Sequence, residues 1–181
     1  NRPEPLHILS VVENKTFRLA RLRRKPKATT DHLNEKTGTC RRYAEELSQR
    51  TGYPCYPVKK APSEGPVVFI GWLRGKFLVG SNKVDSSRVR AVCVVGLTPN
   101  MNANKIASDN GFKVPGYYLR GGIDRSKLNI MDKLVIAVVC ALMKLKGLND
   151  NNRELFEVSM NGGSFYDSSS LDQIERFIKK K

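Results

Sequence analysis

Blocks of apolar residues alternate with polar, glycine- and proline-bearing stretches along the whole chain. Leu6-His-Ile-Leu-Ser-Val-Val12 is a short run with few polar positions, the pattern of a buried strand. Val67-Val-Phe-Ile70, introduced by Gly65-Pro66, repeats that pattern, as does the run at 89–95 that ends in Gly96. Residues 53–58 form a weaker candidate, and Pro54 and Pro57 assign it to a sheet edge. Tyr117-Tyr-Leu119 is the shortest. Between the first two strands, Gly38-Thr-Cys-Arg-Arg-Tyr-Ala-Glu-Glu-Leu47 reads as a glycine turn opening an amphipathic helix closed by Gly52. Ala44, Leu47 and Thr51 share its apolar face, and Arg41, Arg42, Glu45, Glu46 and Gln49 take the others. Residues 77–79 read as the start of a short helix. A long apolar helix is predicted over 130–146, its centre at 134–143 packing on its own domain. A last helix at about 169–180, capped by Ser168 or Ser169, presents Leu171, Ile174, Phe177 and Ile178 as its buried stripe.

Buried strands separated by helical stretches indicate a layered α/β fold around a parallel sheet. The 181 residues, 40% of them hydrophobic, are read as one domain, 1–181. In an open sheet of this kind, ligands bind beyond the carboxyl ends of the strands. Three glycine-bearing loops are candidates there. The turn at Gly38 and Thr39 combines free helix N–H groups with a dipole end, suited to a phosphate. The second, Gly71-Trp72-Leu73-Arg74, carries the only tryptophan, and the third is Gly96-Leu97-Thr98-Pro99-Asn100. A phosphate-compatible turn, an aromatic stacking face and a loop of backbone donors together look like a site for flavin mononucleotide (FMN).

Taken in order, these segments resemble the flavodoxin fold, and within it the flavodoxin-like protoporphyrinogen oxidase branch and related flavodoxin-domain proteins. Lys36-Thr-Gly-Thr-Cys-Arg-Arg-Tyr-Ala-Glu-Glu-Leu47 resembles the family's phosphate loop and first helix. Gly71-Trp72-Leu73-Arg74 resembles its second flavin loop and Val94-Val-Gly-Leu-Thr-Pro99 its third. Tyr118-Leu-Arg-Gly-Gly-Ile-Asp-Arg-Ser-Lys-Leu128 and the helix beginning Met131-Asp-Lys-Leu134 resemble the insertion that sets the branch apart, and 167–180 its closing helix. The resemblance implies a flavodoxin-like three-layer fold with a central parallel sheet of about five strands. It implies FMN contacts from Thr16, Thr37, Gly38, Thr39, Cys40, Gly71, Trp72, Leu73, Arg74, Gly96, Leu97, Thr98 and Asn100. Cys40 stands where the family has a hydroxyl, and the chain is basic where carrier flavodoxins are acidic. Joining Thr16 to Gly38 restores a family-like loop, and Lys-Thr occurs at both junctions, so residues 17–37 read as an insertion in the phosphate loop. An N-terminal hairpin ahead of a degenerate first strand is the competing reading.

The net charge of +15 implies attraction to polyanions, namely nucleic acid, an acidic protein or an anionic membrane surface. The segment between Arg18 and Lys27 is the natural contact. Four scattered cysteines and two histidines argue against a zinc site and for reduced thiols. No signal-peptide pattern is present and the longest apolar run falls short of the roughly 20 residues of a helical span, so a cytoplasmic protein is expected, with a peripheral membrane contact left open. Arg120 and Arg125 are candidates for binding porphyrin propionates or simply solvated charges. His7 and His32 carry no acid–base signal, so any catalysis belongs to the cofactor. Two functions follow as expectations. One is an FMN-dependent oxidoreductase or electron carrier exchanging electrons with a quinone or redox protein. The other is a flavodoxin-like scaffold without FMN that binds nucleic acid or a larger assembly.

Overall fold

The computed structural model describes residues 6–11, 38–99, 101–128 and 130–180. In chain order its elements are β1 (His7–Ser10), α1 (Thr39–Thr51), β2 (Cys55–Pro57), β3 (Val67–Arg74), β4 (Phe77–Leu78), β5 (Val89–Gly96) and α2 (Ala103–Asp109). There follow β6 (Gly116–Arg120), β7 (Gly122–Ile123), α3 (Ile130–Leu145), α4 (Asp150–Asn161), β8 (Gly163–Ser164) and α5 (Asp172–Lys179). The central sheet has the order β2-β1-β3-β5-β6, and every pairing along that path is parallel. With β4 set aside as a hairpin partner of β3, this is the 2-1-3-4-5 order of flavodoxin-like sheets, whose winding reverses between β1 and β3.

The apolar runs are continuous because both faces of the sheet are covered. Successive side chains alternate between two cores. On one face Ile8, Val68, Ile70, Cys93 and Val95 pack with Tyr43, Ala44 and Leu47 of α1 and Ile174 and Ile178 of α5. On the other, Leu9, Phe69, Val92 and Val94 meet Ala103 and Ala107 of α2 and Phe112. The result is a three-layer α/β arrangement. The proline-bearing β2 lies at the sheet edge, and β1 lies between β2 and β3.

Several expectations need correction. The strand expected to end at Ile70 runs on to Arg74, so Gly71 and Trp72 are strand residues. It turns back at Gly75-Lys76, where Gly75 has φ +62, and pairs Leu73 with Leu78. A strand therefore replaces the short helix expected at 77–79. No serine caps the closing helix: Asp167, whose side chain accepts from the Ser169 N–H, caps a 3-10 turn at Ser168–Leu171, and α5 follows from Leu171 without a side-chain cap. The helices α2 and α4 have no counterpart in the sequence reading. Most important, α3 packs against α4 but buries little of its apolar surface in its own domain, for only Cys140 on it is fully buried. The readings that placed an insertion at 17–37, a basic segment between Arg18 and Lys27, and His32 lie outside the described residues.

Tyr43 ties the layers together. Its ring is fully buried; its hydroxyl donates to the Arg120 carbonyl at 2.8 Å and accepts from the Asp167 N–H at 3.1 Å. One helical turn on, Glu46 accepts from Ser168, Tyr166 and Arg50, and Arg50 also reaches Asp172 at 2.8 Å and Glu175 at 3.2 Å. Burial works to raise the Glu46 carboxyl, but the hydrogen bonds from Ser168, Tyr166 and Arg50 outweigh it and hold the group below its ordinary value.

Two outcomes follow. Tyr43→Phe leaves the Arg120 carbonyl and the Asp167 N–H without their buried partner, at a cost of about 1–3 kcal/mol in denaturant unfolding. Glu46→Gln destabilises at neutral pH. Because the folded carboxyl has the lower pKa, its contribution is complete above the ordinary 4.5 and disappears as pH falls through the folded value. Melting curves of wild type and variant must therefore converge below that pH; a constant gap would remove the charge from the account.

Candidate functional site

A cleft of about 440 Å³ opens at the carboxyl edge of the sheet. Its walls come from the carboxyl ends of parallel strands and the chain that follows them: Val11 after β1, Trp72 to Gly75 at the β3–β4 hairpin, Val95 to Thr98 at the end of β5, and Gly121 to Ile123 after β6. Cys40, in the first turn of α1, completes one side. Val135, Ile136, Val139 and Met143 of α3, with Leu155 of α4, form the opposite wall. The lining is largely carbon, with Arg74 and Asp132 as its charged members.

The loop after β5 is held by close backbone approach. Tyr118 of β6 donates its hydroxyl to the Thr98 carbonyl, and the Gly121 N–H donates to the Gly96 carbonyl at 2.7 Å. A Cβ on Gly96 would come within 2.5 Å of the Tyr118 hydroxyl oxygen, so glycine is what admits the ring. Burial pushes the Tyr118 phenol up to about 12, and it remains a neutral donor at physiological pH. Burial likewise lifts the Cys93 thiol to about 12, which marks it as a core group and not a nucleophile.

Seven of the residues expected at a flavin site therefore converge on one cleft: Cys40, Trp72, Leu73, Arg74, Gly96, Leu97 and Thr98. Gly38 begins α1 in the left-handed conformation (φ 72). Thr39 borders a neighbouring hollow with Gly122 to Ser126 and Asn161 to Ser164. Gly71 sits inside β3, where a Cβ would approach the Phe69 ring to 2.9 Å and the Val79 carbonyl to 3.0 Å. Thr16, Thr37 and Asn100 lie outside the described residues. Sequence reasoning missed Val11, Met101 and the α3–α4 wall. The pair Gly121-Gly122 after a strand was a legible signal for its own loop; nothing local marked α3 as a wall.

The other candidates have structural partners. Arg120 pairs with Glu154 at 3.0 Å and stacks on Phe165 at 3.7 Å. Arg125 donates to the carbonyls of Ser159 and Met160. His7 starts β1, at the strand end opposite the cleft, and burial followed by the Arg88 charge lowers its pKa. Among the described residues no cluster of His, Cys, Asp and Glu could hold a metal ion. Comparison with known protein families, with curated proteins and with solved structures finds no match.

Gly96→Ala must displace the Tyr118 ring and with it the loop at Thr98, costing about 1–3 kcal/mol as an overpacking substitution. In a Tyr118→Phe background the hydroxyl is gone, and the same change should cost at least about 0.5 kcal/mol less. Strict additivity in this double-mutant cycle would show that Gly96 is not the seat of that ring.

Proposed function

We propose that this chain is an FMN-binding, flavodoxin-like oxidoreductase or electron-transfer protein. The observation that carries the reading is the largely apolar cleft at the carboxyl edge, beside the point where the sheet's winding reverses, with its only tryptophan in the wall. The residues suit a flat ring system. About 440 Å³ lies within the roughly 300–1,000 Å³ range of cofactor sites. Trp72, Leu97 and Ile123 supply apolar contact. Gly75, Gly96, Gly121 and Gly122 bring main chain to the lining without side chains in the way. The phosphate end belongs near α1, whose first turn begins at Gly38 and Thr39 and whose dipole favours an anion. Bound there, the flavin supplies reversible electron and hydride transfer. The protein's own part is to hold the ring, exclude water with the α3 wall, and place the positive charge of Arg74 at the mouth.

Within this reading the electron partner is a quinone or a redox protein, and a porphyrinogen is the substrate suggested by the sequence resemblance. The apolar α3 wall favours a flat, lipophilic partner over a charged one. The net charge of +15 supports the alternative of a flavin-free scaffold that binds nucleic acid.

Titration of the purified protein with FMN decides between them. Saturable quenching of flavin fluorescence is expected. Trp72→Ala should weaken binding by about two- to tenfold, the worth of one aromatic stacking contact at about 0.5–1.5 kcal/mol. A colourless protein that ignores added FMN yet binds nucleic acid with steep salt dependence would overturn the proposal in favour of the scaffold.

A further inference from the structure

The outer face of α3 is the strongest feature that the cleft leaves unused. Ile130 is 84% exposed, Leu145 83%, Met131 66% and Leu134 56%, and Val138 and Leu142 are also more than half exposed. At 100° per residue these side chains fall within roughly half the circumference of the helix. Cys140, on the other half, is 2% exposed. Val135 and Val139, which line the cleft, are themselves 57% and 42% exposed, so the apolar surface of the helix runs from the cleft wall onto this outer face.

We propose that this face of α3 lies in the interface of an anionic lipid membrane, parallel to its plane. Three observations select that occupant. First, sixteen residues give about 24 Å, short of the roughly 30 Å hydrocarbon core, and no helix among the described residues is long and apolar enough to cross a membrane. Second, the apolar arc is accompanied by Lys133 and Lys144 along one edge and Lys146 just beyond the end, the arrangement of a helix that buries apolar side chains below the headgroups while its lysines meet lipid phosphates. In the free protein the Lys144 ammonium lies 5.2 Å over the Phe156 ring of α4. Two acids of the adjoining helix are engaged elsewhere, Glu154 with Arg120 at 3.0 Å and Glu157 at 4.0 Å from Arg153. Third, a second copy is the competing occupant, and it would bring another +15 and the same lysines to the same face. An anionic membrane offers the apolar phase and the opposite charge together. This inference does not depend on the flavin reading.

Vesicle flotation with the purified chain tests it. Binding is expected to vesicles of phosphatidylcholine with one part in about three of phosphatidylglycerol, and at least about tenfold less to phosphatidylcholine alone. Leu134→Gln with Leu142→Gln should lose at least about tenfold in binding with an unchanged melting temperature, because both side chains are exposed in the free protein. Lys133→Gln with Lys144→Gln should weaken binding to the anionic vesicles only. The proposal fails if the wild-type chain does not float with anionic vesicles, or if the leucine variant binds as the wild type does. It fails equally if sedimentation velocity shows a dimer that the leucine substitutions dissolve.

Discussion

The buried hydroxyl of Tyr43 is the point on which this architecture turns. It sits in α1 and bonds the last carbonyl of β6, at Arg120, and the first N–H of the turn leading to α5, at Asp167. A phenylalanine would fill the same space, so packing alone does not explain the residue. The hydroxyl is needed because two main-chain groups from distant parts of the sequence end there without strand partners. Glu46 and Arg50 extend the tie along the helix, and α1 and α5 thereby become one layer. The position of Arg120 then fixes Gly121 and Gly122, and with them the floor of the cleft.

That cleft is built mostly by backbone. The parallel strands stop at one edge, and the chain leaves them through Trp72 to Gly75, Leu97 and Thr98, and Gly121 to Ile123. Where two such segments cross, the glycines are steric requirements. Gly96 yields its space to Tyr118, and Gly122 lies where a Cβ would meet the Gly163 carbonyl at 2.6 Å. The site's shape is therefore set by strand register and by missing side chains, and its few polar side chains have little to say about chemistry. This is why a cofactor, and not a catalytic constellation, is the reading it supports.

Much of this was legible from pattern. The runs at 67–70 and 89–95 could only be strands buried on both faces, and Pro54 and Pro57 placed theirs at the edge. Leu171, Ile174 and Ile178 marked the closing helix. What escaped detection had weak or ambiguous signals. In α2, Ala103-Asn-Lys-Ile-Ala-Ser-Asp109 offers one large apolar residue, and α4 is mostly polar, so neither carries a strong 3.6-residue period. The β3–β4 hairpin was hidden because Gly75 punctuates a strand and a helix start equally well. Cys40, Trp72 and Thr98 were placed together by motif order, whereas the α3–α4 wall of the cleft arises from tertiary packing that no local spacing encodes.

The long helix is the most instructive case. Residues 134–143 read as core because an apolar helix normally finds apolar neighbours in its own chain. Here it finds them on one side only, at α4 and the cleft. An apolar residue that faces the core and one that faces a lipid phase are the same residue in the sequence; only the fold distinguishes them. A helix serving both neighbours must be apolar around most of its circumference, which is the composition of α3. Its exposed half is therefore a consequence of where the chain places it, at the lip of the cleft. The same helix that walls the cleft with Val135, Ile136, Val139 and Met143 thus carries Ile130, Met131, Leu134 and Leu145 on an exposed apolar surface beside it.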